Sequence, residues 1–333
     1  MGIAIPRMGV SNMPVSEGAM KVRVSAVSRE TDDIGLLELR PVDVELLAFS
    51  AGSHIDLHLK NGLIRSYSLT NSASEKHRYV IGVKREPLSR GGSRFIHEQL
   101  RPGDVTTISA PRNNFALCEE APSSVLIAGG IGITPLKCMA QHLEELGKPW
   151  QLHYAARSRR SAAFVIQLAE FGPKVRFYFP SEPNQKSHAS RIDISSVVAD
   201  APQDAHLYCC GPQGMLESFK TASAGRSPAQ THIEHFSNAQ GVDKEGEFEV
   251  VLAKSGRTIA VPSGKSILDT LLELGIDAPF SCLEGVCSSC QTRVLSGIPD
   301  HRDLILTSEE HAANDRMMIC CSRSKSRTLV LEL

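Results

Sequence analysis

The sequence predicts a multidomain chain: an antiparallel β-barrel, then an α/β domain with a parallel sheet, then a small α+β domain. Three observations predict it. The 333 residues exceed one ordinary domain, so two or three are expected. Near residue 119 the pattern changes from short alternating strands to strands that alternate with helices. Past residue 246 a fresh alternation leads into four cysteines, Cys282, Cys287, Cys290 and Cys320. The expected parts are a loose N-terminal arm over 1–18, the barrel over 19–118, the parallel-sheet domain over 119–230, a final strand and linker over 231–246, and the cysteine domain over 247–333.

In the barrel, residues 21–28 and 36–42 alternate apolar and polar side chains, and short strands are legible at 54–59, 79–85 and 105–109. Turn residues punctuate them at Ala51-Gly52-Ser53, Asn61-Gly62 and Arg101-Pro102-Gly103-Asp104. Several short strands so spaced read as a small antiparallel barrel. Two stretches inside it carry chemistry. Arg65-Ser66-Tyr67-Ser68 offers a guanidinium that forks onto a phosphate, an aromatic wall and hydroxyls. Arg90-Gly91-Gly92-Ser93 leads into an expected helix at 94–100, where glycines let backbone amides approach an anion. Alone, each is more commonly a solvated strand or a plain turn; their order and separation strengthen the pair.

Strand–helix alternation follows. Strands are expected at 124–128, 151–155, 175–179 and 205–209, and helices at 136–146, 162–170 and 214–222. The loop Gly129-Gly130-Ile131-Gly132-Ile133-Thr134-Pro135 sits where the first strand ends and a helix begins, the place where such sheets bind dinucleotides. It is not G-x-G-x-x-G, and a close-packed turn is the plain alternative. At another strand end stands Cys210-Gly211-Pro212, a thiol beside a flexible turn that suits a flat ring; a buried core cysteine is its plain alternative. Arg157-Ser158-Arg159-Arg160, after the second strand, holds no acid to take a ribose 2′-hydroxyl and several bases that welcome a 2′-phosphate. A last strand is expected at 232–236.

In the C-terminal part, 247–253 and 257–261 alternate as a hairpin, and 266–274 reads as a helix with Ser263 as N-cap. Strands are expected at 291–295 and 328–331, with a polar turn at Asp300-His301-Arg302-Asp303. The cysteines follow C-x4-C-x2-C, then 29 residues, then C. Plant-type two-iron, two-sulfide clusters use this spacing, three ligands from one tight loop and a distant fourth. Zinc sites favour two short ligand pairs, and zinc or unrelated buried thiols are the alternatives. Cys320 fits the fourth place, and Cys321 overshoots it by one.

Bulk composition narrows the partners. Lys plus Arg number 36 and Asp plus Glu 37, a net charge of -1, without the basic surplus that nucleic acid requires. No apolar run reaches the roughly 18 residues of a membrane span. Residues 1–20 lack the apolar core of a signal peptide. Nine cysteines, four needed as thiolates, point to the cytoplasm and to no disulfide framework.

The two barrel stretches resemble the flavin-binding barrel of the ferredoxin reductase superfamily. That resemblance implies that Arg65, Tyr67 and Ser68, with Ser66 between them, grip the flavin. It puts Val83 and Lys84 beside the ring and Gly91, Gly92 and Ser93 on the phosphate. The glycine loop and Cys210-Gly211-Pro212 resemble the nicotinamide-binding half of the same superfamily. Gly130, Gly132, Thr134 and Pro135 would then contact the dinucleotide, with Arg157 and Ser158 near its ribose. Cys210 and Gly211 would lie near the hydride-transfer position, Cys210 and Ser68 being the catalytic candidates, and Phe236 would shield the flavin. The C-terminal part resembles a β-grasp, plant-type ferredoxin, except that Ser288 stands where that family's loop has glycine. If the position needs positive φ, serine costs stability; its hydroxyl can also bond a sulfur and raise the potential.

The order of the three parts resembles the phthalate dioxygenase reductase family, the reductase components of two-component Rieske oxygenases. It implies electron flow from NADH through FMN and a [2Fe-2S] cluster to a separate terminal oxygenase or demethylase acting on aromatic acids, from a monomeric reductase. NADPH is the alternative donor. FMN is expected over FAD because no residues that would hold an adenine follow the phosphate turn. Two further readings share the sequence: an electron-relay carrier without working flavin chemistry, and a reductase serving a non-aromatic oxygenase.

Overall fold

The computed structural model describes residues 18–87, 91–181, 191–236 and 246–333. The arm before residue 18, Arg90 and all but the last residue of the segment 237–246 lie outside them. Six antiparallel strands form the first sheet: β1 (Met20–Arg29), β2 (Ile34–Pro41), β3 (His54–His58), β4 (Ile64–Ser68), β5 (Tyr79–Lys84) and β6 (Val105–Ile108), in the order β4-β3-β6-β1-β2-β5. A bridge between Leu69 and Ile81 joins the two edges and closes the barrel. Along β1, Met20, Val22 and Val24 point inward while Lys21 and Arg23 face water. Each such buried aliphatic side chain contributes roughly 1.5–3 kcal/mol. Helix α1 (Gly92–Gln99) covers one end with Ile96 and begins two residues earlier than its pattern suggests, because Gly91 caps it at φ +96°.

The second sheet is parallel, order β11-β10-β7-β8-β9. Its strands are β7 (Ser124–Gly129), β8 (Trp150–Ala155), β9 (Val175–Tyr178), β10 (His206–Cys210) and β11 (Thr231–Glu234). Helices α2 (Ile133–Glu145), α3 (Val165–Ala169), α4 (Ile194–Asp200) and α5 (Gln213–Ala222) flank it. β7 is buried on both faces. Leu126 and Ala128 pack toward α2, and Val125 and Ile127 toward α4 and α5. The helix expected over 162–170 shrinks to α3 because Phe164 takes φ +62° at its head, where its amide donates to the Glu30 carboxylate at 2.6 Å. α4 was not expected; Asp193 caps it by accepting from the Ser195 and Ser196 amides. The core on the α2 side takes in Ile34, Ala51 and Phe115 of the barrel, so one apolar mass spans the first two sheets.

The third sheet, order β13-β12-β18-β14-β16, is mixed, with β12 parallel to β18. Its strands are β12 (Phe248–Leu252), β13 (Arg257–Val261), β14 (Gln291–Ser296), β16 (Arg316–Met318) and β18 (Thr328–Leu331), with a separate pair β15 (Pro299–Asp300) and β17 (Arg323–Ser324). Helix α6 (Ile267–Glu273) packs on it, and α7 (Ser308–Ala313) was not expected. The N-cap of α6 is Ser266, not Ser263: its Oγ accepts from the Asp269 amide at 3.0 Å, and Asp269 accepts in return from the Ser266 amide. Among the described residues, no helix is long and apolar enough to cross a membrane.

Candidate functional site

One cavity of about 1040 Å³ opens where the three sheets meet. Arg65, Ser66, Tyr67 and Ser68 of β4 line it, with Lys84 of β5 and Ser93 of α1. Gly130, Gly132 and Thr134 line another part, with Arg157, Gly211, Pro212 and Phe236; Cys282 and Cys287 also reach it. Segments far apart in sequence thus share one wall. Arg65 lies against Gly92 at the head of α1, where an added Cβ would stand 2.7 Å from its Nε. A guanidinium, the Ser93 hydroxyl and the first amides of a helix are a donor set suited to a phosphate monoester. Burial pushes the Tyr67 phenol well above its ordinary range, so it stays protonated.

Some expected residues lie off the wall. Val83 points into the barrel core, and its carbonyl meets His97 Nε2 at 2.9 Å. Gly91 and Gly92 shape the head of α1. Pro135 is buried within α2, and Ser158 holds the turn before α3 through Ser161. Of the arginine-rich stretch only Arg157 lines the cavity: Arg159 packs over the Phe179 ring, and Arg160 pairs with Asp32 at 2.6 Å. Arg191 joins Arg157 on the wall.

Gly132 has a steric reason to be glycine. A Cβ there would stand 2.2 Å from the Cys210 carbonyl oxygen, so the loop after β7 touches the end of β10. Cys210 itself is 1% exposed, behind the wall formed by Gly211 and Pro212. Its Sγ faces Glu234 Oε2 at 3.9 Å. Burial raises the Glu234 carboxyl to about 8, and burial followed by the Glu234 charge raises the Cys210 thiol. Near neutrality both hold their protons beside the cavity. Glu234 escaped the sequence reading, since the parallel pairing of β10 with β11 brings it to Cys210. His54 escaped too. It lines the cavity, and its buried Nε2 has no hydrogen-bond partner among the described residues. Burial, then the Arg112 charge, lowers its pKa to about 4, so the ring is neutral.

The four expected cysteines converge. Cys282, Cys287, Cys290 and Cys320 are between 2% and 8% exposed. The Cys282 thiol meets those of Cys287 and Cys320, and Cys320 also meets Cys290. Sharing of protons with Cys287 and then Cys320 drives Cys282 far down the thiol range, while Cys287 and Cys320 are pushed up. Thiols crowded this closely are the donor set of an iron–sulfur site. Backbone amides already aim at them, Cys282 N at Cys287 Sγ (3.5 Å) and Glu284 N at Cys282 Sγ (3.4 Å). Cys321 stands beside Cys320, whose thiol it also meets, and its own Sγ donates to the Met318 carbonyl at 3.7 Å. Gly285 lets the loop close: at φ +69° a Cβ would stand 2.4 Å from Cys321 Sγ. Ser288 sits at φ +56°, and its hydroxyl donates to the Cys287 carbonyl at 2.7 Å rather than to sulfur. Ser289 Oγ is the hydroxyl near a sulfur, 3.3 Å from Cys287 Sγ.

A polar seam docks this loop on the barrel. Asp56 Oδ1 accepts from Ser66, whose Oγ is 3.0 Å from Ser281 Oγ. Asp56 Oδ2 pairs with Arg112 at 2.6 Å, and Arg112 also donates to Ser289. Asn114 donates to the Cys287 carbonyl.

A barrel, a parallel sheet and a four-thiol module around one cavity define a modular electron-transfer oxidoreductase. Residues 250–325 match the 2Fe-2S iron-sulfur cluster binding domain, and residues 126–221 the oxidoreductase NAD-binding domain. The chain is 51% identical over 315 residues to phenoxybenzoate dioxygenase subunit beta of Ectopseudomonas oleovorans, covering 94% of this chain and 97% of that one. It is 44% identical to vanillate O-demethylase oxidoreductase of Acinetobacter baylyi, covering 94% and 99%. A solved phthalate dioxygenase reductase, described as a modular structure for electron transfer from pyridine nucleotides to [2Fe-2S], superposes with a TM-score of 0.75 at 33% identity, covering 97% of this chain and all of that one. The chain belongs to the phthalate dioxygenase reductase family.

Proposed function

We propose that the protein is the reductase component of a two-component Rieske non-haem iron oxygenase, drawing electrons from NADH and delivering them to a terminal oxygenase or demethylase for aromatic acids. The observation that carries this reading is the single cavity wall running from the glycine loop past Arg65–Ser68 to Cys282 and Cys287. FMN held there would accept the electron pair of a hydride and could release the electrons one at a time, as a [2Fe-2S] cluster held by the four cysteines would require.

The chain's own residues bind and orient. Arg65, Ser93 and the head of α1 hold the phosphate, and Tyr67 and Ser68 line the ring site. Gly130, Gly132 and Thr134, at the head of α2, take the dinucleotide phosphates. Gly211, Pro212 and the neutral Cys210–Glu234 pair border the nicotinamide site, and Phe236 covers the ring site until nicotinamide enters. Cys282, Cys287, Cys290 and Cys320 hold the cluster. The donor is NADH; Arg157 and Arg191 on the wall favour NADPH as a second donor. The protein works as a cytoplasmic monomer.

The test is spectroscopic. Purified protein should show flavin and broad iron–sulfur absorption, both bleached anaerobically by NADH. It should reduce cytochrome c and support turnover by an added Rieske oxygenase. Iron–sulfur bands that NADH leaves unbleached would mark a relay carrier instead, and a colourless protein a zinc module.

A further inference from the structure

We infer that His301, Asp303 and His311 form a site for a divalent transition-metal ion of the zinc class, separate from the four cysteines. Their ligand atoms all lie within 4.8 Å of one another. His301 Nδ1 is 3.7 Å from Asp303 Oδ1, and His311 Nε2 is 3.3 Å from both carboxylate oxygens. A charge-assisted imidazole–carboxylate hydrogen bond is shorter, about 2.7–2.9 Å. Two donors each bound at about 2.0–2.1 Å to a shared tetrahedral ion stand roughly 3.4 Å apart. The observed spacings lie within a few tenths of an ångström of that separation.

The outer contacts prepare the same donors. His301 Nε2 is 3.3 Å from Asn314 Oδ1, which only accepts, so Nε2 carries the proton. The lone pair is then on Nδ1, a buried atom without a hydrogen-bond partner among the described residues, on a side chain only 8% exposed. Asp303 is fully buried at its side chain, and Oδ2 is fixed by the Ile305 and Leu306 amides at 3.3 and 2.9 Å. Such orienting bonds are what metal-binding histidines and carboxylates use. His311 comes from α7 and is one-third exposed, giving the ion a path in and room for a water as fourth ligand.

The site stands behind the cysteine loop. The Leu304 amide donates to the Gly285 carbonyl at 3.0 Å, and a Cβ on Gly285 would stand 3.1 Å from the Asp303 Cα. A bound ion therefore ties α7 to the segment that buttresses that loop.

To test this, holoprotein with its cluster intact is stripped of loose metal, equilibrated with micromolar Zn2+ and analysed for zinc and iron. The expected result is one retained zinc per chain with the iron content unchanged. His311→Ala, at a partly exposed position, should hold at least about tenfold less zinc at the same free concentration, with an unaltered visible spectrum. His311→Cys should retain it, since thiolate replaces imidazole as a ligand. His77→Ala, at an exposed histidine elsewhere, should change nothing. No zinc in the wild type, equal zinc in His311→Ala, or zinc gained only as iron is lost would each overturn the assignment.

Discussion

Ser288 is a side chain held in a left-handed backbone, φ +56°, a conformation that costs a non-glycine residue about 1–2 kcal/mol. Its hydroxyl bonds a carbonyl and, at 3.3 Å, the Asn114 amide, so it offers little return. Ser288→Gly should therefore raise the melting temperature of the cluster absorbance by a few degrees without shifting the cluster potential. Ser289→Ala should do the reverse, lowering the midpoint potential in a redox titration, because Ser289 is the hydroxyl beside sulfur. At Glu234 burial lifts the carboxyl from 4.5 to about 8. Between those values the folded chain keeps a proton that the unfolded chain has released. Stability then falls as pH rises through that window and levels off above it. Glu234→Gln should flatten this slope in denaturant titrations across the window.

At the scale of elements, the glycine loop and the head of α2 depend on how closely β7 approaches β10. Gly132→Ala drives a methyl into the Cys210 carbonyl and should cost about 1–3 kcal/mol of stability, as overpacking does. It should also lower kcat/KM for NADH at least tenfold in a dye-reduction assay while the visible spectrum stays intact. Much of this layer was legible in the sequence. The two-residue period of β1 and the apolar run of β7 report burial on one face and on both, and the cysteine spacing reports a loop plus a distant ligand. The missing parts have a shared cause. Ser263 looked like a cap, but a reciprocal bond with Asp269 selects Ser266. α7 buries no side chain and relies on its capping residue Thr307, and α4 is only seven residues long, so its cap Asp193 and the buried Ile194, Val197 and Val198 make too short a pattern to stand out. Glu234, His54 and Val83 gain or lose their place only through pairings across the sheets, which local pattern does not record.

For the whole molecule the two junctions differ in kind. The barrel and the parallel sheet share one apolar core, with Lys137 buried between them and bonded to the Thr70 carbonyl. The barrel meets the cysteine module through Asp56, Ser66, Arg112 and Asn114. Asp56→Asn weakens that seam at its centre. It should leave ferricyanide reduction by NADH near wild type while slowing NADH-driven reduction of cytochrome c several-fold. Equal effects on both acceptors would mean that Asp56 acts on the barrel alone. The chemistry of the two junctions also bears on how such chains are assembled. Where the touching faces are alcohol, amide and ion, separating them exposes groups that water can satisfy. A gene segment encoding the cysteine module can then be moved along a polypeptide, or into a different host chain, without having to evolve a new exterior.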